Sequence, residues 1–301
     1  MSKTTAEIAT QPECWRRAAE LAKSASAAGL LPPAGAELAV VGCGTSWFMA
    51  QSFAALREAA RQGRTDAFPA SEFPSAREYA HVLALCRSGT TTEVVGLLSG
   101  LPAGVRSVVV SAVPDSPAVR AARRAVLLDF ADEESVVQTR FATTALALLR
   151  AALGEDVEAA ARDAERALAA PLPLDPAAVE QVAFLGGGWT YGLANEAALK
   201  LREAAQFWAE SHLAMEYRHG PISIAAPGRA VWPFGPLPPG LGDQIRATGA
   251  ELVDMHDLDP LAALVVAQRF AVAAAECRGL DPDSPRSLTR SVILLPQEVE
   301  T

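Results

Sequence analysis

Hydrophobic and polar positions follow a repeating order along this chain: a short continuous apolar run, a turn rich in glycine and hydroxyl residues, then a longer run with helical spacing. An amphipathic stretch around Trp15 to Ala28 ends at Pro32 and Pro33, and Glu37 to Cys43 (ELAVVGC) reads as a short buried strand. The turn Gly42-Cys43-Gly44-Thr45-Ser46 then opens a helix. The order recurs with His81 to Cys86, the turn Arg87 to Glu93 and a helical run from Val94, and Val105 to Ser111 and Ala125 to Phe130 read as two more strands. Continuous apolar strands alternating with helices predict an α/β fold with a parallel sheet covered on both faces.

Residues 135–153 and 155–169 pattern as two successive helices, and the proline-rich stretch 171–176 (PLPLDP) has the composition of a linker. A boundary near residue 170 divides the chain into 1–170 and 171–301. Beyond it the order restarts: a strand at Val182 to Leu185, the turn Gly186-Gly187-Gly188, and a helix from Tyr191 to Trp208. Strands at Ala230 to Phe234 and Glu251 to Met255, a helix at Leu261 to Cys277 and an irregular tail complete it. Two halves of similar order predict two doubly wound units in tandem.

At 301 residues, 50% hydrophobic and 20% charged, the chain has ordinary globular composition. Its 26 basic and 35 acidic residues leave a net charge of -9, which gives no global attraction for a phosphate backbone, so nucleic acid is not an expected partner. Gln268 and Arg269 interrupt the longest apolar stretch, so no membrane span is expected. The polar segment 1–10 carries no apolar signal core, and the cytoplasm is the expected compartment. Cys14, Cys43, Cys86 and Cys277 show no Cys-x-x-Cys spacing and read as reduced structural thiols; His81, His212, His219 and His256 form no metal-binding pattern. No metal and no cofactor are expected.

Cys86-Arg87-Ser88-Gly89-Thr90-Thr91 sets hydroxyls between a strand and a helix start, where free backbone N–H groups and the helix dipole favour an anion. Helix capping explains the same residues equally well. Gly44-Thr45-Ser46 is a second turn of this kind, and two such turns converge on one ligand where strand order reverses. Farther on, Glu196, Lys200 and Glu203 share one helix face. A solvated ion pair worth about 0.2–0.5 kcal/mol is the plain explanation. Lysine, however, occurs only at positions 3, 23 and 200, and a carboxylate beside an ammonium in a pocket suits removal of a proton from carbon α to a carbonyl. In Tyr217-Arg218-His219-Gly220-Pro221 the Gly-Pro turn holds His219 outward, as a surface residue or as a proton exchanger.

Together these pieces resemble the sugar isomerase (SIS) family, and within it the isomerase half of glucosamine-6-phosphate synthase. The resemblance rests on VVGCGTS (40–46), CRSGTTTE (86–93), ESVVQTRFATT (134–144), NEAALKLRE (195–203), EYRHGP (216–221) and LDPDSPRSLTRSV (280–292), in family order over nearly the whole chain. It implies two tandem SIS domains, each a five-stranded parallel sheet in an α-β-α sandwich, a homodimer with shared active sites, and a sugar 6-phosphate ligand. By the same resemblance Thr45, Ser46, Ser88 and Thr91 bind phosphate and sugar hydroxyls, with Cys86 where serine is usual, and Arg87, Val137, Glu196 and Arg290 also face the substrate. Glu203 matches the base that moves the proton between C1 and C2, Lys200 its neighbour, and His219 the ring-opening histidine donated by the partner subunit.

Two departures qualify the resemblance. The sequence starts within the SIS part, with no amidotransferase segment ahead of it, so synthase activity is not expected. Arg290 stands where the family has a tail lysine, and a guanidinium with a pKa above about 12 cannot form an imine at neutral pH. The expected function is therefore abstraction of the C2 proton from a hexosamine or hexose 6-phosphate, giving aldose–ketose isomerisation with or without deamination. The alternatives are β-elimination of an N-acetylhexosamine 6-phosphate such as N-acetylglucosamine 6-phosphate, and a phosphosugar sensor without turnover.

Overall fold

The computed structural model describes residues 2–294. Helices α1 (Lys3–Ala9) and α2 (Gln11–Ala27) lead into β1 (Leu38–Gly42), α3 (Thr45–Ala59), β2 (Thr65–Pro69), β3 (His81–Leu85) and α4 (Thr92–Gly100). Then come β4 (Arg106–Ser111), α5 (Pro117–Ala121), β5 (Arg124–Leu127), α6 (Arg140–Ala152) and α7 (Val157–Ala169). The second half holds β6 (Gln181–Gly186), α8 (Thr190–Ala205), β7 (Trp208–Leu213), β8 (Arg229–Phe234), α9 (Leu241–Ala247), β9 (Glu251–Leu252) and α10 (Pro260–Cys277).

All strand pairs are parallel. The first sheet has the order β2-β1-β3-β4-β5 and the second β7-β6-β8-β9. The second sheet thus repeats the first four places of the first sheet but stops at four strands, where five were expected. After α10 the described chain carries Pro282 and Pro285 and runs across the first half instead of pairing with β9, so the fifth place stays empty among the described residues.

Each continuous apolar strand divides its side chains between two faces. Leu38, Val40, Leu83, Leu85, Val182, Phe184 and Trp232 enter one central core that draws on both halves of the chain. Their alternates pack outward: Ala39, Val41, Val82 and Val109 beneath α4 and α5, and Ala183, Leu185 and Val231 beneath α9. The central layer of helices contains α10, which by length and composition alone could cross a bilayer. Here it lies in the core against α7 and α8. Its Gln268 accepts from Gln11 Nε2 at 2.7 Å, and Gln11 in turn accepts from Thr143 at 2.6 Å, a buried polar chain that fixes α2, α6 and α10 in register.

The edge strands β2 and β7 were not anticipated. TDAFP and WAESHL are half-exposed and mix polar with apolar residues, so neither shows the apolar run of an inner strand. The helix expected to run to Trp208 stops at Ala205, where Gln206 takes a left-handed φ of 49° as C-cap. Helix α6 starts at Arg140 rather than residue 135, because the Glu133 carboxylate accepts from Thr139 N at 2.6 Å and Arg140 N at 2.8 Å and sets the first turn there.

Candidate active site

The order 2-1-3-4-5 places the reversal of connection direction between β1 and β3, so the turns after these two strands stand side by side. They enclose a cavity of about 190 Å³ whose wall includes Thr45, Ser46, Cys86, Ser88, Thr91 and Glu203. Loop 133–139 adds Val136 and Gln138, and the C-terminal tail adds residues 288–292.

The turn after β3 depends on Gly89, whose φ is +64° and whose missing Cβ would lie 1.9 Å from Ser116 Oγ. Its hydroxyls do not cap α4. Thr91 is the N-cap residue, yet its side chain makes no capping bond, and Ser88 Oγ accepts from Thr90 N at 3.2 Å. Helix capping, left open on sequence grounds, therefore does not account for these side chains. Helix α3 likewise starts without a side-chain cap bond, so its N-terminus also faces the cavity uncapped.

Glu203 comes to this wall from the other half of the chain. Lys200 Nζ donates to Glu203 Oε2 at 2.5 Å and to Thr45 Oγ1 at 3.0 Å, and Glu196 lies 3.4 Å away on its far side. Burial disfavours the Lys200 charge, but Glu196 and Glu203 outweigh it and hold the pKa above the usual lysine value. Lys200 is thus an ammonium at neutral pH. Glu196 is wholly buried, and neither oxygen meets a hydrogen-bond donor among the described residues. Burial pushes its pKa up to about 8, with the Lys200 charge opposing that rise.

Not every expected residue is at the wall. Lys200 and Glu196 stand behind Thr45 and Glu203 rather than lining the cavity. Val137, expected at the ligand, is instead 2% exposed in the central core, where an apolar side chain gains more than at a polar wall. Its neighbours Val136 and Gln138 line the cavity in its place, and Gln138 Nε2 is buried with no partner among the described residues. Both neighbours fall in the ESVVQTRFATT block, where Gln138 is a polar residue beside two valines. Arg87 does line the cavity, but its buried guanidinium is engaged with the protein: it donates to Ser135 O at 3.3 Å and Arg290 O at 2.8 Å and lies 3.6 Å from Glu133. Arg290 reaches the wall with its guanidinium 2.5 Å from Asp132 Oδ1. His219 is exposed on the short turn Glu216–His219 and is not part of this wall.

No family model matches the chain. Among curated proteins it is similar to the glutamine–fructose-6-phosphate aminotransferase (isomerizing) of Leifsonia xyli, with 32% identity over 143 residues, 37% of this chain and 23% of that protein. The corresponding protein of Methanothermobacter thermautotrophicus matches at 26% identity over 298 residues, 84% of this chain and 50% of its own length. The chain therefore spans at most about half the length of these relatives. Among solved structures, glucosamine-6-phosphate deaminase from Thermotoga maritima superposes with a TM-score of 0.83 and 23% identity, covering 97% of this chain and 100% of that one. The chain thus shares the fold of this solved structure and is similar in sequence to the aminotransferases. In this chain the hydroxyl-lined turns come from the first sheet and the Glu203–Lys200 pair from the helix α8 that follows the first strand of the second.

Proposed function

We propose that this chain binds a hexosamine or hexose 6-phosphate in the cavity between β1 and β3 and uses Glu203 to move a proton between C1 and C2. The observation that carries the reading is a carboxylate at the wall of a hydroxyl-lined cavity with a buried ammonium 2.5 Å behind it. The ammonium holds Glu203 in place at the wall as the group that accepts the C2 proton, and its charge offsets the negative charge that develops on the substrate oxygen. Thr45, Ser46, Ser88 and Thr91 supply donors for the phosphate and sugar hydroxyls near two helix N-termini. Return of the proton to C1 gives aldose–ketose isomerisation; where C2 carries an amino group the product is a C2 imine, which water hydrolyses to the ketone and ammonia. The relatives' names, an isomerizing aminotransferase and a glucosamine-6-phosphate deaminase, are consistent with this chemistry.

His219 acts on the ring oxygen from a second copy of the chain in this reading. Its exposure, and its place outside the wall formed by its own chain, fit a residue donated across a two-fold interface. The division near residue 170 belongs to the same proposal, with one SIS unit on either side, and so does a cytoplasmic homodimer.

The test is incubation with a panel of hexose and hexosamine 6-phosphates in D2O, followed by NMR. Deuterium at C2 together with ketose or released ammonia is expected, and Glu203→Gln should bind the same ligand with exchange reduced about 10²–10⁴-fold. Tight binding by the native chain without C2 exchange on any member of the panel would make it a sensor.

A further inference from the structure

The described tail runs over the Ser88–Thr92 turn and is held there at several points. Arg87 Nη2 donates to Arg290 O at 2.8 Å, Thr92 N to Val292 O at 3.1 Å, and Leu294 N to Thr92 Oγ1 at 2.8 Å. Arg290 is tied in addition to Asp132. The residues that hold the tail therefore flank Ser88 on both sides in sequence, and they grip residues on both sides of Ser291. Between them Ser291 Oγ lies 3.1 Å from Ser88 Oγ and 2.9 Å from Thr90 Oγ1, at the wall of the same cavity.

Three hydroxyls meet here: Ser88 Oγ, Thr90 Oγ1 and Ser291 Oγ lie within 3.1 Å of one another, and Ser88 Oγ also accepts from Thr90 N. Each hydroxyl has a single proton and, among the described residues, serves only the others in this cluster, so each can turn that proton toward an incoming acceptor. An oxyanion is the ligand that matches, because it has acceptors and no donors.

We propose that Ser291 is part of the anion site: its hydroxyl donates to the phosphate of the substrate alongside Ser88, and Arg87 is the positioning residue that holds the tail in place for this. The cradle is then assembled from the turn after β3 and the C-terminal tail, and phosphate binding and tail docking reinforce one another. Arg87 explains itself on this view. A buried guanidinium that lies beside a phosphate site and donates to the backbone carbonyls of Ser135 and Arg290 is placed to hold the backbone that carries Ser291. The inference rests on the proposed sugar 6-phosphate reading and adds a residue to it.

Calorimetry on the full chain with glucosamine 6-phosphate and with inorganic phosphate tests it. Ser291→Ala should weaken both ligands about ten-fold or more, the loss expected for one hydrogen bond to a charged group. Ser291→Thr, which keeps the hydroxyl, should restore most of the affinity. Arg87→Gln should weaken phosphate binding and abolish the phosphate-dependent slowing of amide exchange over residues 288–294 that the native chain is expected to show. Unchanged affinity in Ser291→Ala, with Ser88→Ala still weakened, overturns the inference and leaves the substrate reading standing. Tighter binding in Ser291→Ala would make Ser291 a plug that competes with phosphate, which also overturns it. If the native chain binds neither ligand, the sugar-phosphate reading fails and this inference with it.

Discussion

Lys200 donates a hydrogen bond to Thr45 across the joint between the two halves of the chain, 3.0 Å from nitrogen to oxygen. Thr45 opens α3 beside the first sheet and Lys200 lies near the end of α8, so one buried bond connects the hydroxyl turn with the carboxylate that faces it. Lys200 also keeps its charge, which bears on the chemistry it can perform.

A charged lysine is a poor nucleophile, and Arg290 cannot replace it. Borohydride added during turnover is expected to leave no adduct on any peptide by mass spectrometry; a trapped adduct on Lys200 would restore imine chemistry. Lys200→Met should lower kcat by roughly 10²–10³-fold, the effect of losing one charge-stabilising donor in a dry site.

Glu196 gives the fold a pH dependence. Its pKa rises from the model-compound value of 4.5 to about 8 in the folded chain, so the folded state holds its proton more tightly than the unfolded state. The stability associated with that proton is complete below pH 4.5 and is lost as pH climbs through about 8. Glu196→Gln should therefore gain stability relative to the native chain as pH rises across this window. Denaturant unfolding at a series of pH values measures it, and parallel curves for the two proteins would contradict it.

Helices α3 and α8 approach closely at Gly192, where an added Cβ would lie 2.3 Å from both Phe48 O and Ser52 Oγ. Gly192→Ala is expected to destabilise the fold by about 1–3 kcal/mol through overpacking. It should also reduce activity, since separating the helices lengthens the Lys200–Thr45 bond. Urea unfolding and steady-state kinetics on the same sample test both effects, and a variant as stable as the native chain would show that the helices part freely.

A shared active site predicts complementation. His219→Ala mixed with Glu203→Gln, after denaturation and refolding together, should regain activity from heterodimers in which one site has both groups. Activity that stays at the level of the separate variants would place both residues in one chain's site or remove His219 from the chemistry.

Local patterning determined much of this protein. Buried strands appear as continuous apolar runs because both faces of an inner parallel strand are covered, and the two strand-to-helix turns are legible because glycine and hydroxyl residues at fixed offsets have a local backbone cause. The spacing of Glu196, Lys200 and Glu203 put them on one helix face for the same reason. Edge strands β2 and β7 escaped because an edge is half solvated and shows no such run. What only the tertiary structure decided involves residues far apart in sequence. Val137 turned to the core and Gln138 to the cavity, a choice between neighbours that depends on which surroundings pack against them. Lys200 met Thr45, and Ser291 came to rest on Ser88, 203 residues away in sequence. Periodicity carries orientation within one element, while the meeting of two elements is set by packing of the whole core, and no short stretch of sequence contains that information.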